Sequence, residues 1–223
     1  GIFYADGEKI KESKVVTKER VWKGKQEVKD LLLDFIATEP NEKKDTIMEV
    51  SVWKALFRKK VFDEYDISFV SERQFISEDV IFDIDYLSKC NCVVAIPEPV
   101  YFYCVNPNSL SKVFRTDRFN KVKKLYKEIL KKLIPIYGEE LSNRRGDRFL
   151  IARARTNARQ IIRHEKIIGK NKMMKALHNI CEDQDMNEIF QRYPIHLLPL
   201  KYRLVAYLMK YRCYHLLKII LGR

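Results

Sequence analysis

Apolar and polar residues in the first half of the chain alternate in short blocks whose period changes from block to block. Residues 1–16 hold two short extended pieces around a turn, which predicts a β-hairpin. Stripes of apolar residues three and four positions apart predict helices, and short apolar or aromatic runs bounded by turn residues predict strands. The predicted helices span 25–37 and 51–62 and begin again at Ser77, and the predicted strands span 92–96 and 100–105.

The stripes also predict which side of each helix faces the core. The inward positions are Val28, Leu31, Leu32 and Phe35 in the first helix, Val52 and Leu56 in the second, and Val80, Ile81, Ile84 and Leu87 in the third. The indole of Trp53 then remains for a neighbouring element or a ligand, because an aromatic ring serves either purpose.

The second half of the chain repeats the helical period almost without interruption. Helices are predicted over 118–137, 139–165, 170–181 and 185–193. The fold class expected for the whole chain is therefore an α/β part over residues 1–113 followed by an all-α region over 114–223, predominantly helical overall.

The charge differs sharply between the two halves. Residues 1–111 carry 16 Lys and Arg against 20 Asp and Glu, a net of −4, while residues 112–223 carry 27 against 10, a net of +17; the two sum to the +13 of the whole chain. A basic region of this size indicates an acidic partner, either an anionic membrane surface or a nucleic acid. Nucleic acid is the weaker candidate, because no groove-reading or stacking motif accompanies the charge.

The last 35 residues combine basic, leucine and tyrosine residues. Seven Lys and Arg and no Asp or Glu lie between Ile189 and Arg223. This pattern fits helices that lie in a bilayer interface with basic residues toward the head groups. A pair of helices docked on the rest of the protein with Lys and Arg outward fits equally well. No apolar run approaches the roughly 20 residues of a spanning helix.

The cysteines indicate the compartment. Five of them, an odd number at scattered positions, do not form a disulfide framework, and Cys90-x-Cys92 lacks the second pair of a zinc site. The expected location is therefore cytoplasmic, with a possible peripheral position on the inner face of the membrane.

An acidic pair, Glu78 and Asp79, occupies the start of the helix that Ser77 opens. On the residues alone, Ser77 is the N-cap and the two acids complement the positive end of the helix dipole. A further pair, Asp83 and Asp85, falls on two different faces of the same helix, and we expect both to be solvated surface.

The order of these parts carries a family resemblance. A helix with Trp53, then the pair Glu78-Asp79 opening a helix, then Pro-Val-Tyr-Phe-Tyr followed by Asn and Ser, resembles the acceptor-side half of family 2 glycosyltransferases over about Ile2–Ser111. The resemblance implies an A-type nucleotide-sugar fold. It implies Asp79 as general base for sugar transfer with inversion, Glu78 and Trp53 as acceptor contacts, and Asn106, Ser109 and Ser111 as contacts to the donor diphosphate.

The resemblance also implies what this chain does not contain. The donor-binding half, with the Asp-x-Asp motif that holds Mg²⁺ or Mn²⁺, would precede Gly1, so we expect no metal in this chain and no activity from it alone. Lys54 and Ala55 stand where relatives commonly show Asn and Lys, and Cys104 stands where Arg is frequent. Either Arg115 or Lys112 then contacts the phosphate, or the polar segment is simply a capping turn before the next helix.

Two functions follow as alternatives. The first is part of a membrane-associated glycosyltransferase of polysaccharide biosynthesis, with a nucleotide-sugar donor and a glycan or lipid-linked acceptor. The second is a basic helical module that binds membrane or nucleic acid and whose acidic pair is purely structural.

Overall fold

The computed structural model of the chain describes residues 1–7, 9–13, 16–48, 51–71, 73–106, 115 and 117–222. This part of the chain is predominantly helical, as predicted. Contacts divide the chain into two units, one formed by Gly1–Ile36 with Thr46–Val113 and the other by Ala37–Asp45 with Phe114–Arg223. Residues 37–45 lie outside the range 114–223 predicted for the helical region, yet they pack with it.

Two small sheets belong to the first unit. Strands β1 (Ile2–Asp6) and β2 (Lys9–Ser13) form the predicted hairpin, with Ile2 opposite Ser13. Strand β5 (Phe102–Cys104) adds to the other edge of β1 in parallel orientation, so the order is β2-β1-β5. Strands β3 (Arg20–Lys23) and β4 (Cys92–Ala95) form a separate antiparallel pair. The predicted hairpin and both predicted strands are confirmed, the second strand with shorter bounds.

The core of the first unit lies between two helices, α1 (Gly24–Ile36) and α3 (Asp79–Leu87). The stripe predicted for α1 is buried apart from Phe35, which is half-buried, and Leu33 takes a core position instead. Helix α3 buries nearly all of its length, including Val80, Ile81 and Ile84. The two apolar faces hold the helices together because each removes the other from water.

The helix predicted over 51–62 is wrong. The chain instead forms a single 3-10 turn (Val52–Lys54), an extended stretch, and then helix α2 (Lys59–Tyr65). Leu56, predicted to face inward, is fully exposed. The reason is tertiary: the Arg58 backbone N–H donates to the hydroxyl of Tyr86 at 2.7 Å, and Phe57 packs edge-on against Phe82 at 5.1 Å. These contacts with α3 replace the hydrogen bonds that a continuous helix would have made.

The second unit consists of helices, most of them where the sequence predicts them. In chain order they are α4 (Arg118–Tyr137), α5 (Glu139–Arg163), α6 (Glu165–Ile168), α7 (Lys170–Cys181), α8 (Gln184–Arg192), α9 (Leu200–Lys210) and α10 (Tyr214–Gly222), with a 3-10 turn (Ile195–Leu197) before α9. No helix in the described ranges is both long and apolar enough to cross a bilayer.

Glycine sets the junction and the close packing of α4 and α5. Gly138 joins the two helices with φ +77°, a conformation that other residues rarely adopt. Gly146, inside α5, leaves space for α4, because a Cβ there would lie 2.6 Å from the Leu130 side chain. The two long helices therefore approach closely at this point.

Buried arginines tie residues 37–45 to α5. Arg145 donates to the Ala37 carbonyl at 2.6 Å, and Arg148 donates to the carbonyls of Pro40 and Glu42 at 3.1 and 3.2 Å. The Arg148 side chain is only 1% exposed and also pairs with Asp45 at 3.2 Å. A buried guanidinium requires such partners, so charge-assisted hydrogen bonds help to hold this segment against α5.

A second buried network joins α4, α5 and α8. The Tyr126 hydroxyl donates to Asp147 at 2.8 Å, and the Arg192 guanidinium contacts both oxygens of that carboxylate at 2.7 Å. Burial and the neighbouring carboxylate raise the pKa of the Tyr126 phenol. The three side chains form hydrogen bonds to one another, so we interpret this network as one that stabilises the packing of the three helices.

Candidate active site at the start of a buried helix

The acidic pair lies where α3 begins. Asp79 is the first residue of the helix and Glu78 is its N-cap, and both side chains are half-buried. Ser77, predicted as the N-cap, instead has a left-handed backbone with φ 61°, and its carbonyl accepts the N–H of Val80 at 3.1 Å. A positive φ is strained for a residue with a side chain, so the backbone just before Glu78 is held in a strained conformation.

Asp83 is the main correction to the sequence analysis. It was expected on the solvated surface, but it is 6% exposed. Its Oδ2 atom is buried and has no hydrogen-bond partner among the described residues. Burial, together with the nearby charge of Asp79, raises the pKa of Asp83 to about 7, and the Lys54 ammonium opposes this increase. Asp83 can therefore hold a proton at neutral pH.

The spacing explains why Asp83 joins the site. Residues four apart lie one above the other on a helix, so Asp83 falls one turn below Asp79 on the same face. Asp85, considered together with Asp83 in the prediction, is two residues away and on another face. The spacing from Asp79 to Asp83 was the signal that could have identified it.

The charge of Asp79 opposes ionisation of the buried Asp83 carboxyl. Lys54, one residue after Trp53, places a cation near Asp83. In the sequence Lys54 appears only as a departure from the family pattern, but in the structure its charge acts on Asp83.

Trp53 is held between elements by aromatic contacts. Its ring centroid lies 4.7 Å from that of Tyr101 and 5.2 Å from that of Tyr103, and the indole is half-buried. Tyr101 and Tyr103 are on one side of their strand, as predicted, while Phe102 stacks on Phe3 at 4.7 Å. The 3-10 turn that carries Trp53 therefore joins the tyrosine-rich segment to the region of α3.

The donor contacts implied by the resemblance are only partly described. Asn106 follows β5 and is exposed. Ser109, Ser111 and Lys112 lie outside the described residues. Arg115, considered as a phosphate contact, pairs with Asp117 at 3.3 Å. The phosphate-binding role of these residues stays a prediction.

The divalent metal that the resemblance implies belongs to the donor-binding half of the family fold, so Trp53, Glu78 and Asp79 are not expected to hold it. Within the described part of the chain no group of three or more His, Cys, Asp or Glu could hold a metal ion. No step of the chemistry below is therefore assigned to a metal.

Comparison of the chain with protein-family models, with curated proteins and with solved structures finds no match. The resemblance to family 2 glycosyltransferases thus stays a prediction from the order of residues. Any function must be argued from the arrangement of Trp53, Lys54, Asp79 and Asp83.

Proposed function

We propose that this chain is the acceptor-side part of a glycosyltransferase that moves a sugar from a nucleotide-sugar donor to a glycan or lipid-linked glycan, with inversion. The observation that supports it is spatial. The three parts that resemble the family are separated by more than 20 residues in sequence, yet Trp53 contacts Tyr101 and Tyr103. The adjacent Lys54 lowers the pKa of Asp83, and the charge of Asp79 raises it.

In the proposed reaction Asp79 is the general base. The acceptor hydroxyl donates its proton to the Asp79 carboxylate as its oxygen forms a bond to the anomeric carbon. The bond from that carbon to the diphosphate oxygen breaks at the same time, and the nucleotide diphosphate leaves with the electron pair. Attack from the side opposite the leaving group inverts the configuration.

The neighbouring residues would orient the acceptor and place further charges near the base. Glu78 would accept hydrogen bonds from acceptor hydroxyls, and Trp53, which packs against two tyrosines, would lie against a sugar ring. Asp83 and Lys54 set the local charge beneath Asp79. Asn106, Ser109 and Ser111 are proposed as donors to the diphosphate oxygens.

The test is Asp79→Asn in the protein that carries this sequence, assayed with a panel of nucleotide sugars. Loss of the base should lower sugar transfer by about 100-fold to 10,000-fold while the fold is kept. Asp63→Asn is the matched control, because Asp63 is exposed and pairs with Lys59, four residues away, at 2.8 Å. If Asp79→Asn keeps more than about a tenth of the wild-type rate, Asp79 is not the base.

A second candidate function is a basic helical module that binds a membrane surface, with the acidic pair as a structural feature. The net charge of +17 in residues 112–223 favours it. Under this alternative neither Asp79→Asn nor Asp63→Asn changes any sugar transfer, because no nucleotide sugar is turned over by the wild-type protein. We propose a cytoplasmic location at the inner membrane face for either function.

A further inference from the structure

Helix α9 presents apolar and aromatic side chains to solvent. Leu200 is 73% exposed, Leu204 is 46% exposed and Tyr211, directly after the helix, is 67% exposed. Their spacing of four and seven residues places them on one face of the helix. Tyr207 lies on the same face and stacks on Tyr211 at 6.1 Å. We call these four residues the α9 face.

The opposite side of α9 explains how the helix is held. Val205, Ala206 and Met209 are buried in the second unit. The helix therefore docks through one side and leaves the α9 face uncovered. The docked side and the exposed face of α9 therefore carry different residues.

Basic residues border the α9 face on both sides. Lys201 follows Leu200 on one side and is exposed, and Arg203 lies on the other side, where it donates to the His196 carbonyl at 3.0 Å. No Asp or Glu occurs from Ile189 to the last residue. A leucine and tyrosine centre with a cationic border is complementary to a surface with apolar chains beneath anionic head groups.

Exposed apolar residues are concentrated in this part of the second unit. Eight large apolar side chains are exposed among its described residues, and six of them lie between positions 197 and 219. Helix α10 adds Leu216 and Ile219, which are 51% and 54% exposed while Leu217 and Leu221 are buried. By contrast, the exposed side of α7 carries Lys170, Lys172 and Lys175. Ordinary surface composition therefore does not explain the α9 face.

We infer that the α9 face binds the surface of a bilayer that contains anionic lipids, with α9 lying in the interface. Leu200, Leu204 and the two tyrosines enter the boundary between head groups and acyl chains, and Lys201 and Arg203 stay at the phosphate level. This inference depends on the exposed face and not on the assignment of Asp79.

Co-sedimentation with vesicles tests the inference. The probes are vesicles of phosphatidylcholine alone and vesicles that contain about one third phosphatidylglycerol. The wild-type protein should bind the anionic vesicles. Leu200→Ser with Leu204→Ser should weaken this binding about tenfold to 100-fold, because apolar area no longer leaves water on binding. Lys201→Gln with Arg203→Gln should weaken it about tenfold or more on anionic vesicles only.

Two control variants match these changes. Ile167→Ser removes an isoleucine that is 80% exposed and lies outside the α9 face, and Lys172→Gln with Lys175→Gln removes two exposed cations of α7. Both should bind vesicles as the wild type does. Circular dichroism should show folded protein in every case, because all substituted side chains are partly or fully exposed.

The inference would be overturned if the wild type did not bind anionic vesicles, or if the test and control variants lost the same amount of vesicle binding. It would also be overturned if vesicle binding were absent and the wild type instead formed a concentration-dependent dimer that Leu200→Ser with Leu204→Ser dissociates. Sugar transfer to a water-soluble acceptor, measured without vesicles, should be the same in the wild type and the α9 variants. A failure of the membrane inference is therefore distinguishable from a failure of the proposed reaction.

Discussion

The substitution Asp83→Asn should change how the stability of the first unit depends on pH. The Asp83 carboxyl is 6% exposed, and burial with the charge of Asp79 raises its pKa from 3.8 to about 7. The difference of about 3 pKa units corresponds to about 4 kcal/mol, the free energy by which the folded state disfavours the ionised form. Asparagine has nearly the shape of the protonated acid and cannot ionise.

The direction follows from proton uptake. Between pH 4 and pH 7 the folded state holds a proton on Asp83 that the unfolded chain has already lost, so the free energy of unfolding of the wild type falls as the pH rises through this window. Above about pH 7 both states have lost the proton, and the contribution is constant. Asp83→Asn removes this decrease, so the variant should gain about 4 kcal/mol relative to the wild type between pH 4 and pH 8.

Tryptophan fluorescence during urea unfolding is the measurement. The chain has two tryptophans, Trp22 and Trp53, and both belong to the first unit, so their emission follows the unit that contains Asp83. Unfolding curves at several pH values between 4 and 8 give the free energy of unfolding of wild type, Asp83→Asn and the exposed control Asp63→Asn. A difference between wild type and Asp83→Asn that stays constant over this range would refute the reasoning, because a group that does not titrate differently in the two states cannot produce a pH dependence.

Two further substitutions test charges that the structure places. Lys54→Met should raise the pKa of Asp83 further, because the Lys54 ammonium lowers it. The same fluorescence series should then show a free energy of unfolding that still falls above pH 7. An unchanged curve would contradict the effect of Lys54 on Asp83. Arg148→Met should destabilise the second unit by about 3 kcal/mol, because the carbonyls of 37–45 and Asp45 lose a buried cation. Thermal unfolding followed by circular dichroism measures this loss, the exposed Arg163→Met is its control, and a loss below about 1 kcal/mol would show that the arginine is dispensable.

The sequence predicted the elements whose apolar stripes are long or whose turns are distinctive. The hairpin at the start of the chain, helix α1 and helices α4, α5, α7 and α8 all appear close to their predicted bounds. A stripe of four or more apolar residues specifies one face of a helix whatever it packs against, so these elements need little tertiary information.

The region 51–58 shows where this approach fails. Its apolar residues have helical spacing, but Phe57 and Arg58 find partners on α3, 28 residues away in the case of Arg58 and Tyr86. A short apolar stripe does not ensure a helix when such contacts compete, because the helix it would form is only marginally stable alone. The full exposure of Leu56 is the consequence.

The residues of the candidate site were likewise predicted only in part. The family resemblance in the order of residues implied Trp53, Glu78 and Asp79 as one functional group, and this stays a prediction. It did not predict Asp83, because the pairing of carboxyl groups on one helix face matters only when that face is buried, and burial depends on what α1 and the 52–58 segment cover.

The sequence by itself determined the helical second half, the concentration of positive charge there, and the acidic pair at the start of α3. The tertiary structure alone decided that Asp83 is buried with its pKa raised to about 7, that Trp53 packs against two tyrosines, and that Leu200 and Leu204 of α9 are exposed. Periodicity and charge are local properties that can be read along a chain. Burial is not local, because it depends on which distant side chains come to cover a residue, and the pKa of a carboxyl group follows burial.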